Sequence, residues 1–270
     1  MPLKACAAKC EAETDCYDSN PCTVDACGKD GVCVWTPAKT GSVCGDGEVC
    51  NKSGQCSVLT DGWARQISSD AHGYHYCAVT VDATVACWGR NNYFQTGYGL
   101  GTGNRSTPYV VPGLTKIKAV ETGRFHSCAL SSVGEVYCWG RNNARQSVPS
   151  ATASNVAKAT KVAGLLGVRG VAAGHDFTCA HLSDRRVSCW GANSEGQQGH
   201  GDTTMVSKPK IVAGLTGVLS LSGDSNHLCA VRSDGGLWCA GMNVDYQTHQ
   251  TSGQKMVFTK RGGPQIPSLS

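Results

Sequence analysis

Gly123-Arg124-Phe125-His126-Ser127-Cys128-Ala129-Leu130-Ser131-Ser132-Val133-Gly134-Glu135-Val136-Tyr137-Cys138-Trp139-Gly140 reads as two strands about a tight turn. Ser132-Val133-Gly134 is a three-residue hairpin loop with glycine at the left-handed position. Counting outward from Ser131 and Glu135 as a hydrogen-bonded pair puts Cys128 opposite Cys138. That is a non-hydrogen-bonded pair, whose Cα atoms lie about 4.5 Å apart. A disulfide accepts this separation, so the two cysteines are read as a cross-strand brace.

The device recurs. Cys77 and Cys87, Cys128 and Cys138, Cys179 and Cys189, and Cys229 and Cys239 each stand ten residues apart, and their first members follow at steps of 51, 51 and 50. A fixed period of this length signals a repeat architecture. In phase with it come Gly89, Gly140, Gly191 and Gly241, then Asn91, Asn142, Asn193 and Asn243, then Gln95, Gln146, Gln197 and Gln247. His75, His126, Phe177 and His227 stand two residues before each first cysteine. Trp88, Trp139 and Trp190 follow the second, where the fourth unit has Ala240 and moves its tryptophan to Trp238. The repeats divide residues 61–263 into four units, about 62–112, 113–163, 164–213 and 214–262, with a loose tail expected over 264–270. Ser233-Asp234-Gly235 repeats the turn, whereas Ala83 and Arg185 stand where glycine should be, so turns of another type are expected there. Alternation places His126, Cys128 and Leu130 on one face and Ser127 and Ala129 on the other. Both faces carry apolar side chains and should be covered, which suits sheets repeated radially. The expected fold class is all-β, a β-propeller-type array of four four-stranded blades after a small disulfide-rich module.

The pattern G-x-x-H-x-C-A, followed by C-W-G-x-N-x-x-x-Q-x-G, resembles the regulator of chromosome condensation repeat. Gly123–Leu130 and Cys189–Gly199 are its clearest copies. The resemblance implies a β-propeller, seven-bladed in most of the family, where this sequence has four units. Those four could close as a small ring, remain an open arc, or be part of a larger propeller. Val148 and His249 depart from the repeat's final glycine. The resemblance also implies two kinds of activity: enzyme inhibition through one propeller face, as some bacterial members do to β-lactamases, or guanine-nucleotide exchange on a small GTPase, as the nuclear member does.

Residues 1–60 are different material, with nine of the 17 cysteines, at 6, 10, 16, 22, 27, 33, 44, 50 and 56. So small a segment cannot bury a sufficient core and needs staples. A disulfide-knit module is expected, with zinc as the rival on the Cys6/Cys10 and Cys22/Cys27 spacings. Asp18-Ser19-Asn20-Pro21-Cys22-Thr23-Val24-Asp25 resembles Cys-rich repeats of bacterial surface proteins. Asp18, Asn20 and Asp25 could offer oxygens to calcium, although turn capping explains the same residues. Nine being odd, one cysteine is unpaired within the module. Leu3-Lys4-Ala5-Cys6 faintly resembles the box before a lipid-modified cysteine, which makes Cys6 a candidate anchor. No signal peptide stands in this sequence.

The net charge of +4, with 16% charged residues, is too mild to argue for nucleic acid, and no apolar run reaches transmembrane length. No elbow, phosphate loop or zincin motif argues for an enzyme, and no cofactor is implied. The repeat-position histidines are read as packing residues rather than a metal ring. Function is sought where the repeats disagree, in the triplets between Asn and Gln: Asn92-Tyr93-Phe94, Asn143-Ala144-Arg145, Ser194-Glu195-Gly196 and Val244-Asp245-Tyr246. Tyr93, Phe94, Arg145 and Tyr246, with Arg90, Arg141, Glu195 and Asp245 beside them, form the candidate contact face. The function expected is a non-catalytic interaction module, extracellular or on a cell surface, binding a protein or glycan. The alternatives are a nucleotide exchange factor, or a lectin or hydrolase using the propeller channel.

Overall fold

The computed structural model describes residues 10–12, 16–38, 43–45, 48–50, 54–58, 63–70, 72–248 and 253–260, and its regular elements are all strands. In the first module β1 (Thr23–Cys27) and β2 (Cys33–Pro37) form a hairpin, and β3 (Val43–Gly45), β4 (Glu48–Cys50) and β5 (Cys56–Val58) a short meander. Eight cysteines there pair as Cys10–Cys27, Cys16–Cys33, Cys22–Cys50 and Cys44–Cys56. Two groups of three sulfurs lie close together, Cys10/Cys16/Cys27 and Cys22/Cys44/Cys50, but all six are committed to disulfides and offer no thiolate for zinc. Cys6, His249 and the tail over 264–270 lie outside the described residues. The calcium candidates cap turns. An Asp18 carboxylate oxygen accepts from the Asn20 N–H at 2.7 Å, the Asn20 side-chain oxygen from the Cys22 N–H at 3.0 Å, and an Asp25 oxygen from the Asp18 N–H at 3.1 Å.

Four antiparallel four-stranded blades follow. They are β6 (Ala64–Ser69), β7 (His75–Thr80), β8 (Val85–Gly89) and β9 (Arg105–Val110); β10 (Ile117–Thr122), β11 (His126–Ser131), β12 (Val136–Arg141) and β13 (Asn155–Lys161); β14 (Val168–Ala173), β15 (Phe177–Leu182), β16 (Val187–Gly191) and β17 (Val206–Ile211); and β18 (Val218–Asp224), β19 (His227–Arg232), β20 (Leu237–Gly241) and β21 (Lys255–Lys260). The first strand of each later blade packs on the first two strands of the blade before it, and among the described residues the blades do not close into a ring.

The repeated cysteines oppose each other across the second and third strands of every blade. Cys77 faces Cys87, Cys128 faces Cys138, Cys179 faces Cys189 and Cys229 faces Cys239. Each pair is bridged, with Cα atoms 4.1 Å apart. That is closer than the separation of about 4.5 Å expected for an unbridged pair in this register. Cys87 and Cys239 are as deeply buried as their counterparts in the two middle blades, whereas Cys229 in the last blade is only half-buried. Ala83 and Arg185 do not change the turn. They hold φ of 58° and 63°, beside 83° for Gly134 and 73° for Gly235, and the same closing bond forms in all four blades. The expected different turn is therefore corrected, because a single left-handed residue costs only about 1–2 kcal/mol.

One polar contact recurs at the first two joints between blades. The Nε2 of His75 meets Ser127 Oγ of the next blade at 2.8 Å, and that of His126 meets Thr178 Oγ1 at 2.9 Å. Ser127 and Thr178 donate in turn to the backbone carbonyls of Gln95 and Gln146, which also receive the indole N–H of Trp139 and Trp190. A hydroxyl that has spent its proton can only accept, so both histidines carry theirs on Nε2. Nδ1 is left buried without a partner on each. Burial therefore lowers the pKa to about 3 for His75, where His126 lowers it further, and to about 4 for His126. The third joint is apolar instead. Phe177 packs with Leu228, and Ala240 replaces the tryptophan.

Closing a loop of ten residues stabilises by about 2–3 kcal/mol in the chain-entropy model. Cys128→Ala/Cys138→Ala is expected to lose that much in urea unfolding under oxidising conditions, with the difference vanishing when both proteins are reduced.

Candidate functional site

Residues between the repeated Asn and Gln form the same turn in each blade. Phe94, Arg145, Gly196 and Tyr246 all hold φ of 62–66°. The Gln side chain braces the turn from within. Its carbonyl oxygen accepts the N–H of Tyr93, Ala144, Glu195 and Asp245, at 2.9 Å in each blade. The Asn side-chain oxygen accepts the N–H of Thr96, Ser147, Gln198 and Thr248. Gln95 and Gln146 reach the neighbouring blade through their backbone carbonyls, and Gln146 also through its side chain, which donates to Asp176 at 2.6 Å.

These loops share one face with the turns that link the first and second strands, for in a meander both lie at the same strand ends. The turns contain the two variable residues of G-x-x-H. Gly123 and Gly174 must be glycine, since a Cβ there would lie 2.2 Å from the His126 ring and 2.0 Å from the Phe177 ring. The rings close over them and fix the next residues on the face.

At its centre is Phe125. Tyr74 stacks on it at 5.6 Å and Tyr93 leans on it at 5.0 Å. Three guanidinium groups surround it: Arg124 at 4.9 Å, Arg90 at 5.4 Å and Arg141 at 5.5 Å from its ring centre. Arg141 also pairs with Asp176 at 3.7 Å, and Arg124 contacts the His175 ring. Burial works against the charge on Asp176, but a hydrogen bond from His175 and the nearby Arg141 hold its pKa below the usual value. Arg90 lies over Tyr74 at 5.1 Å as well, half-buried. Stacking fixes these groups. Arg141 and Arg124 also spend N–H groups on Asp176 and His175, whereas among the described residues Arg90 is held by the rings alone.

Of the sequence candidates, Arg90, Tyr93 and Arg141 are therefore brought together. Arg145 is not, since its guanidinium turns back to the Ala151 carbonyl. Glu195 receives Gln254 of the last blade at 3.3 Å, and Asp245 receives its own Gln247. Phe94 is half-buried and Tyr246 exposed, each at its own loop. Sequence reasoning missed Tyr74, Arg124, Phe125, His175 and Asp176, which it treated as spacers of the motif. The available signal was that those spacers are aromatic or charged.

Beside the cluster the inner turns of all four blades surround a polar cavity of about 420 Å³, with Asp70, Glu121, Arg124, His175 and Asp224 in its lining. Burial raises the pKa of Glu121 to about 7, against a contact from Ser68 that favours its charge.

The sequence profile described as the regulator of chromosome condensation (RCC1) repeat matches residues 82–130, 117–146 and 168–197. The mouse protein named Probable E3 ubiquitin-protein ligase HERC4 is 30% identical over 134 residues, which are 48% of this chain and 13% of that protein. The crystal structure of Prp20p from Saccharomyces cerevisiae, reported with its binding to Gsp1p and histones, superposes with a TM-score of 0.65 at 19% identity, covering 78% of this chain and 53% of that one. Human WBSCR16 superposes with a TM-score of 0.68 at 20% identity, covering 86% and 62%. The chain thus spans a small part of the first and somewhat over half of the other two. At these identities the structures show a shared propeller fold.

Proposed function

We propose that this chain, whose repeats belong to the regulator of chromosome condensation family, is a non-catalytic binding module that takes a protein or glycan on its Phe125 face, outside the cell or on its surface. The observation that carries the reading is the Tyr74–Phe125 stack with the guanidinium groups of Arg90 and Arg124 over it, Arg90 half-buried and Arg124 turned to the His175 ring. Tyrosine and arginine in such settings are the residue types that dominate interface energetics. The disulfides support an oxidising compartment, since sixteen of the 17 cysteines are paired. That argues against nucleotide exchange on a cytosolic or nuclear GTPase. Among the described residues no helix is long and apolar enough to cross a membrane.

The test is capture of ligands from the native extracellular fraction on immobilised protein. Arg90→Ala/Arg124→Ala is expected to lose a captured species at least tenfold, roughly the 1.4 kcal/mol of a modest hot spot. Val133→Ser, at an exposed turn on the opposite face, should retain it. Equal capture by all three proteins would place binding elsewhere.

A further inference from the structure

In every blade the first strand carries a bulge near its start, which leaves one residue out of the ladder. Those residues are Arg65 between Ala64 and Gln66, Lys118 between Ile117 and Ala119, Arg169 between Val168 and Gly170, and Leu219 between Val218 and Ser220. A bulge re-aims the side chain it carries. All four are exposed, while Ile117, Val168 and Val218 just before them are buried. Three blades thus set a cation at the same place, on first strands that pack against one another. The third blade adds a histidine. His181 stands opposite Gly170 on the second strand, where the other blades have Val79, Leu130 and Val231. Its ring lies over Gly170, at which a Cβ would come 2.4 Å from Nε2. Burial lowers the His181 pKa, and the charges of Lys118 and Arg169 lower it further, so cations of two blades converge on one ring.

Among the described residues none of the three cations meets an acid. At this end of the blades the acids stand on or beside the hairpin turns. Glu135 takes Lys161 there, Asp184 takes Arg186 and Asp234 takes Arg232, while Asp82 is exposed on the first turn. The same first strands finish, at the Phe125 face, beside Asp70, Glu121 and Asp224. Charge is therefore sorted along them, with the basic end facing away from the aromatic cluster.

From this we propose that Arg65, Lys118 and Arg169 form a second binding surface, separate from the Phe125 face, that takes an acidic polysaccharide bearing sulfate or carboxylate groups along its chain. Arginine grips such groups at two points, and lysine acts as a point charge. One cation per blade, repeated over three blades, matches a linear polyanion rather than a single small anion. Single-stranded nucleic acid is held by stacking rings as well as by charge, and the ring cluster lies on the other face. The disulfides also favour an oxidising compartment, where glycans rather than nucleic acids are the resident polyanions. The choice of glycan rests on that compartment; the anion site rests on the cations alone.

The test is calorimetric titration of the whole chain with a heparin hexasaccharide, which carries both sulfate and carboxylate, at low salt. Binding is expected, and it should weaken as salt is raised. Arg65→Ala/Lys118→Ala/Arg169→Ala should lose affinity by about tenfold or more. The fourth blade forms the same bulge with Leu219, so the fold does not require the charge. Arg90→Ala/Arg124→Ala should bind the hexasaccharide as the parent does, whatever becomes of the Phe125 face. A parent that binds nothing, a triple variant with the parent's affinity, or an Arg90/Arg124 variant that loses it overturns the proposal. Tighter binding of an oligonucleotide of equal charge, single- or double-stranded, overturns the choice of glycan.

Discussion

Gly140→Ala is expected to lower the unfolding free energy by about 3–5 kcal/mol. Gly140 holds φ of +99°, and a Cβ there would lie 2.6 Å from the Phe125 carbonyl oxygen and 2.7 Å from the His126 Cα. Both are backbone atoms of the paired strand and cannot step aside. Behind them the Gln95 Cα of the preceding blade closes the space at 3.3 Å. Strained backbone costs about 1–3 kcal/mol and overpacking about another 1–3 kcal/mol. The substitution also strikes the joint, since Gln95 is the residue whose carbonyl holds Trp139. Gly235→Ala is the control. Its φ is +73° with nothing within 4 Å of the added Cβ, and Ala83 already occupies the matching place. That variant is expected to lose only about 1–2 kcal/mol, the cost of one left-handed residue. Chemical denaturation of both variants against the parent reads the difference, and equal losses would mean that close backbone approach is not what requires glycine at 140.

The two glycines show what could be read from the sequence. Local geometry was legible: the ten-residue spacing about Ser132-Val133-Gly134 places Cys128 opposite Cys138, because a hairpin's register follows from its loop length alone. The same count carries Cys77 to Cys87 and Cys229 to Cys239, even though the first of those hairpins turns on Ala83 rather than glycine. The Asn and Gln positions were legible as turn residues for the same reason. Whatever joins residues a full period apart was not. The His126–Thr178 bond spans 52 residues, and Phe125 meets Tyr74 and Tyr93 only because neighbouring blades lean together. The spacing of the first module's cysteines leaves 105 pairings open for eight of them, so its four disulfides could not be derived. Arg145 misled because its residue type suits a contact face while its backbone, in a left-handed turn, directs the side chain to Ala151.

One difference between repeats is itself an experiment. Phe177 replaces the joint histidine in the third blade and packs on Gly174 as His126 packs on Gly123. His126→Phe should therefore fit, and its effect should change sign with pH. The native histidines bind fewer protons than the unfolded chain, since their folded pKa values of about 3 and 4 lie below the usual 6.5. Stability is thus complete above pH 6.5 and falls as the pH drops towards 4. At 1.36 kcal/mol per unit, His126 alone accounts for a loss on the order of 3 kcal/mol by pH 4. Glu121 works the other way. Its carboxyl, raised to about 7, destabilises the fold as the pH rises from 4.5 to 7 and restores stability on acidification. The parent's net acid loss is therefore smaller than two histidines imply, and only the difference between variants isolates one joint. Near pH 7 His126→Phe gives up one hydrogen bond, about 1 kcal/mol, because Thr178 keeps its bond to Gln146. Near pH 4 the variant has no ring to protonate and should exceed the parent by about 2 kcal/mol. Thermal or urea unfolding at the two pH values would then cross over, and parallel curves would mean that Nδ1 of His126 finds a partner when charged.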